Sequence, residues 1–161
     1  MKTEIEIRQA ISDDAECIYQ LTEPFVTSGE LLRRSRDEIK SLIPHGFTAI
    51  QKHLPEGLAE QSVATSPSGA PQGGLVIKVV GFAAVEIYSK KLAEILCLAV
   101  CPTCQNQGVG KKLVEQCVQF AKENDVQELM AISSSDHFLK HCGFDYSLPN
   151  QKRALFVHPN P

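Results

Sequence analysis

The sequence predicts a single mixed α/β domain with one sheet between helices, an order best written α/β (α+β). Three observations predict it. Stretches with a period of two alternate along the chain with stretches of helical period. Two long apolar runs, 75–88 and 92–101, are separated only by Ser89-Lys90-Lys91, as in a hairpin of central strands. A chain of 161 residues with 43% apolar content is long enough for one domain with a real core.

Each element follows from local chemistry. Residues 3–8 alternate apolar and polar, the period of a half-buried strand. Asp13 followed by Glu16 suggests a capping box, after which Ile11, Ala15, Ile18, Leu21 and Phe25 share one helical face. Pro24 is expected to end or kink that helix. Ser35 with Glu38 is a second capping box, opening a short helix with Ile39, Leu42 and Ile43 inward and Pro44 at its end. Residues 47–51 read as a short strand. From 53 to 74 the composition turns to Ser, Pro, Gly and Ala without apolar period, the pattern of a flexible surface insertion. After the hairpin comes a helix over 108–124, with Val109, Leu113, Cys117 and Phe120 inward, flanked by Val114, Val118 and Ala121. Residues 128–133 read as another short strand. Ser135 can cap a brief helix carrying Phe138, Leu139 and Cys142, closed by Gly143 at a left-handed position. A last strand is expected over 153–157.

The bulk properties exclude several classes. A net charge of −3 gives no support to nucleic acid or an anionic membrane as partner. The polar-apolar alternation of the first residues is neither a signal peptide nor a membrane span, so the six cysteines read as reduced thiols of a cytoplasmic protein. Cys101-x-x-Cys104, with Cys97, Cys142 and His141, invites a zinc or redox reading. No second Cys-x-x-Cys accompanies it, and no metal is expected.

The chemistry concentrates in residues 95–112. An apolar strand breaks at Pro102, passes a polar turn and reaches Gly108 and Gly110 at a helix start. The first helical N–H groups have no intrahelical acceptor and carry the positive end of the dipole, so this is an anion cradle, to which Lys111 and Lys112 add charge. It lacks the Gly-x-x-x-x-Gly-Lys-Ser/Thr of a phosphate loop and the third glycine of a dinucleotide fingerprint. A plain loop with helix-start glycines is the alternative on spacing alone.

The pattern Val100-x-Pro102-x-x-Gln105-x-x-Gly108-x-Gly110 after an apolar strand resembles the cofactor motif of the GNAT superfamily of N-acetyltransferases. The resemblance implies the GNAT fold, with acetyl-coenzyme A as co-substrate held by Leu98, Val100, Gln105, Asn106, Gln107, Gly108, Val109, Gly110 and Lys111. Further stretches are similar to the acetyltransferase domain of N-acetylglutamate synthases: residues 29–37, with Arg33-Arg34-Ser35-Arg36; residues 93–100, with Glu94; residues 137–144; and Leu148-Pro149 with Lys152-Arg153. The chain departs from that family in carrying Ser134 where many synthases have arginine, and Phe156-Val157 for a common Tyr-Asn pair. The resemblance covers no amino-acid kinase domain.

The roles implied are those that acetyl transfer to an amine requires. Glu94, a lone carboxylate in an apolar strand, is the expected base; burial would raise its pKa, and a water could extend its reach. The tyrosine that serves as acid in many GNAT enzymes is Leu139 here, and Ser135 is the residue that maps to the serine used by the synthases; helix capping is its other role. Oxyanion stabilisation is expected from backbone N–H groups over 97–100. Arg34, Arg36, Lys152 and Arg153 could form a fork for substrate carboxylates, or simply a solvated basic surface. An acyl-enzyme on Cys97 is disfavoured, since a buried thiol is a poor nucleophile. The expected partner is a small amine, an acidic amino acid and above all L-glutamate at the entry to arginine biosynthesis, and the fold allows a homodimer. The alternatives are another amine or a protein N-terminus as acceptor, and a non-catalytic acyl-coenzyme A module.

Overall fold

Five strands form one sheet in the order in which they occur along the chain: β1 (Ile5–Gln9), β2 (Gly46–His53), β3 (Val76–Ser89), β4 (Leu92–Val100) and β5 (Glu128–Ala131). The first four pair antiparallel, and β4 pairs with β5 in parallel. Four helices complete the chain, α1 (Ala15–Thr27), α2 (Arg36–Leu42), α3 (Val109–Glu123) and α4 (His137–His141). This computed structural model describes residues 4–53, 76–133 and 136–146, with Asn150, Leu155, Val157 and Pro159. Of the expected insertion at 53–74, only His53 falls among them.

The central strands carry two cores because they are apolar on both faces. Along β3, Val80, Ala83 and Val85 turn to one face, where they meet Leu113, Val114 and Cys117 of α3. Val79, Phe82 and Ala84 turn to the other, against Ile18 of α1 and Ile39 and Leu42 of α2. On β4, Ala93 and Ile95 belong to the α3 face, while Leu96 and Cys97 pack on the face of α1 and α2.

The hairpin, the helix over 108–124 and the second capping box are as expected. Ser35 Oγ accepts the Glu38 N–H at 3.2 Å, and the Glu38 carboxylate accepts the Ser35 N–H at 2.6 Å. Gly143 closes α4 at φ +91°.

Five expectations need correction. The strand expected over 128–133 stops at Ala131. Asp13 caps nothing. A single 3₁₀ turn, Ser12–Asp14, precedes α1, and Asp14 accepts the Ile11 N–H at 2.9 Å. Ile11 is 50% exposed and Val118 42% exposed, so neither belongs to an inward face. Pro24 does not end α1, which runs one turn further to Thr27, because proline removes one N–H and the Pro24 carbonyl still accepts from Ser28 at 3.0 Å. Of the last expected strand, Leu155 and Val157 are described, and both are exposed and outside any strand.

Candidate functional site

The parallel ladder between β4 and β5 runs from Leu92↔Glu128 to Ile95↔Ala131 and stops there. Beyond it β4 continues alone, and a cleft of about 530 Å³ opens between the two strands. Cys97, Leu98, Ala99 and Val100 form one wall, Ala131, Ile132 and Ser133 the other. The turn at 105–111 and Phe138 of α4 close one end, while Phe25, Glu30 and Leu31 come from the end of α1 and the segment after it.

A bulge shapes the β4 wall. Phe82 pairs with Ala99 and Ala84 with Leu96, so Ala83 alone on β3 stands against both Cys97 and Leu98 on β4. Cys97 sits at φ +55°, a left-handed conformation that costs a residue with a Cβ about 1 kcal/mol. Cys97 and Leu98 therefore have no register partners on β3, and both line the cleft.

The glycine turn fits an anion. Asn106 and Gly108 hold φ of +59° and +78°. Nothing lies within 4 Å of where a Gly108 Cβ would be, so the backbone there is open to a ligand. Lys112 is the first residue of the α3 ladder to bond back, to the Gly108 carbonyl at 3.1 Å, which leaves the N–H groups of Val109, Gly110 and Lys111 without a partner four residues back inside the helix. A Gly110 Cβ would stand 3.1 Å from the Phe138 ring.

Of the nine residues expected to hold the cofactor, Leu98, Val100, Gln105, Asn106, Gly108, Gly110 and Lys111 line the cleft. The Val109 side chain is in the core instead, and the Gln107 amide donates to the Thr103 carbonyl at 2.9 Å. Gln105 spends its amide on the Val100 carbonyl at 3.0 Å, which ties the turn to the end of β4.

A second cluster lies on the face of α1 and α2. Glu94 is 8% exposed, and the Tyr88 hydroxyl donates to its Oε2 at 2.5 Å. Tyr88 was not legible as a partner, because its contact depends on strand register; the only signal is a tyrosine near the hairpin turn, six residues before the glutamate. Arg34, half-buried, is near enough for its charge to act on both the Cys97 thiol and Tyr88. Burial pushes the Cys97 thiol up, and Arg34 opposes that. Cys97 therefore touches both regions, as a wall of the cleft and as a neighbour of Arg34.

Arg36 is elsewhere. Its guanidinium grips Glu16 of α1 through Nε and Nη2, at 2.8 and 3.0 Å, and stacks 4.1 Å from the Tyr19 ring centroid. Ser135, Lys152 and Arg153 lie outside the described residues. Cys101 and Cys104 are free thiols; Cys101 Sγ approaches Thr103 Oγ1 at 3.3 Å, and Cys104 is buried. Among the described residues no three His, Cys, Asp or Glu side chains could hold a metal ion, and no helix is long and apolar enough to cross a membrane.

The model of the acetyltransferase (GNAT) family matches residues 44–144, from the start of β2 through the cleft to α4. The chain belongs to that family. Two curated relatives of this GNAT protein are each 29% identical to it. One is an uncharacterised N-acetyltransferase of Chlorobaculum tepidum, matched over 86% of this chain and 74% of its own. The other is the amino-acid acetyltransferase of Vibrio cholerae, matched over 94% of this chain but only 30% of its own. Among solved structures, the N-acetylglutamate synthase of Neisseria gonorrhoeae, complexed with coenzyme A and N-acetyl-glutamate, is 25% identical with a TM-score of 0.63, covering 88% of this chain and 28% of that one. A Mycobacterium tuberculosis protein in complex with CoA shares the fold at 21% identity and a TM-score of 0.68, over 92% of this chain and 76% of that one. This GNAT chain thus spans less than a third of the Vibrio and Neisseria proteins.

Proposed function

We propose that this GNAT protein moves the acetyl group of acetyl-coenzyme A to the α-amine of an acidic amino acid, L-glutamate above all, as a cytoplasmic step at the entry to arginine biosynthesis. The observation that carries the reading is the meeting at Cys97. A cleft wall that suits the coenzyme and an arginine that suits a carboxylate come together there. The named activities of the Vibrio and Neisseria relatives support the acceptor class.

Acetyl-coenzyme A supplies the acetyl as an activated thioester. The chain's own part begins at the 105–111 turn, where the N–H groups at the start of α3 and the exposed Lys111 receive the pyrophosphate. The β4 bulge offers backbone N–H groups to the pantetheine arm and to the oxyanion. Arg34 receives an acceptor carboxylate, for which a guanidinium is the suited donor. Glu94 takes the amine proton, directly or through a water. Ser135 is retained as the acid that protonates the departing thiolate, and Lys152 and Arg153 as companions of Arg34, on the resemblance alone. Arg36 is assigned a structural role instead, since Glu16 already fills its fork. Cys97 carries no acyl group, because burial disfavours its thiolate.

A coenzyme A release assay across amino acids, polyamines and peptides tests this. Glutamate-dependent release that falls roughly 10²-fold or more in Glu94→Gln is the expected result. Turnover of another amine with none on glutamate overturns the acceptor, and cofactor binding without release from any amine overturns catalysis.

A further inference from the structure

Glu94 faces an unfavourable environment for a base that must be charged. It is buried, and in the β3–β4 register it stands directly opposite Glu86. Directly opposed residues share a face, and like charges there repel. Tyr88 reaches this corner from the register shift between Ile87 and Ser89, where an irregular strand can re-aim a side chain.

We propose that Tyr88 is the positioning residue for Glu94, its hydroxyl holding Oε2 so that Oε1 is left to the acceptor amine. The inference rests on the reading of Glu94 as base. Tyr88 is 56% exposed, so water could satisfy its hydroxyl, yet it donates to a buried carboxylate at 2.5 Å. Its hydrogen bond to Glu94, and then burial, push the Tyr88 phenol up to about 12. It therefore stays a proton donor over the whole working range and does not compete as a base. The other charged or titratable groups at this corner are Glu86 on β3, Cys97 on β4, and Arg34 and Glu38 at the start of α2. Arg34 supplies the positive charge; Tyr88 supplies direction.

Two measurements on the full chain test this. The first needs no turnover. The chain has three tyrosines, and phenolate absorbance at about pH 11 should show one more ionised tyrosine in Glu94→Gln than in the wild type, as the Tyr88 phenol relaxes towards its ordinary value near 10. An unchanged titration overturns the proposal. The second is the pH profile of kcat/KM for Tyr88→Phe, with the acceptor found in the panel. Loss of a donor to a charged carboxylate disfavours the charged form, so the acidic limb should move to higher pH. The KM for acetyl-coenzyme A should stay as it was. A profile that superimposes on the wild type removes Tyr88 and leaves Glu94 untouched. Wild-type turnover by Glu94→Gln overturns the base assignment and Tyr88's role with it.

Discussion

Asp14→Asn removes one charge from a carboxylate surrounded by donors. Arg8 donates to Asp14 from Nη1 and Nη2 at 2.7 and 2.8 Å, the Ile11 N–H at 2.9 Å and the Thr48 hydroxyl at 3.5 Å. These bonds join β1, the entry to α1 and β2. Asparagine keeps the volume but must turn an amide N–H towards donors, of which only Arg8 Nη1 has other acceptors, the Gln9 carbonyl at 2.9 Å and the Thr48 hydroxyl at 3.1 Å. Asp14 is 5% exposed, whereas the Arg8 side chain is 24% exposed, so water relieves part of the loss. The cost should lie at the low edge of the range for broken buried pairs, about 3 kcal/mol. At roughly 3 °C per kcal/mol for a chain of this size, the melting midpoint should fall by about 9 °C. The sign of the pH dependence follows from the carboxyl itself. Burial pushes it up, but the Arg8, Ile11 and Thr48 hydrogen bonds outweigh burial and hold it below the ordinary value. A depressed carboxyl contributes stability that is complete above the unfolded-state value of about 3.9 and is lost as pH falls through the folded one. Urea unfolding of both proteins should therefore show the full deficit at pH 7, narrowing below about pH 4. A variant within about 0.5 kcal/mol of wild type at pH 7 refutes the reasoning. So does a deficit that persists unchanged into acid, which would mark lost packing in place of lost charge.

Three further predictions follow from the site. Gly108→Ala meets no atom within 4 Å but must hold φ +78°, so it should lose about 1 kcal/mol of stability by strain and weaken coenzyme A binding by calorimetry; unchanged affinity would mean the turn does not approach the ligand. Arg34→Ala should raise the KM for an acidic acceptor roughly 10-fold or more and leave that for acetyl-coenzyme A nearly unchanged, and equal effects on both would remove Arg34 from the carboxylate site. In native protein a disulfide reagent should modify exposed Cys17 and the Cys101 thiol, which the Thr103 hydroxyl holds below its ordinary value, well before Cys117, whose thiol burial pushes up to about 12. Early reaction of Cys117, detected by peptide mapping, would contradict its burial against the sheet.

What was legible in the sequence, and what was not, separates by distance along the chain. The Ser35–Glu38 box spans four residues, the hairpin turns through Lys90 and Lys91 next to the expected Ser89, and the glycine turn joins a strand to the helix that follows it; each is decided by near neighbours in the chain. The misplaced cap shows the limit. Asp13 and Asp14 are equally good cap residues by type. Arg8 on β1 and Thr48 on β2 select Asp14, and Thr48 is 34 residues away. The arginines repeat the lesson at the site. Arg34 and Arg36 share charge, shape and segment, but Glu16, 20 residues earlier, closes on Arg36. Arg34 is left beside Cys97. A carboxylate-binding arginine must reach the site with its fork open, so the choice between the two lies in which one the fold has already paired. Tyr88 is the same argument with the sign reversed. Nothing in its neighbours marks it, and the strand register alone brings its hydroxyl to Glu94.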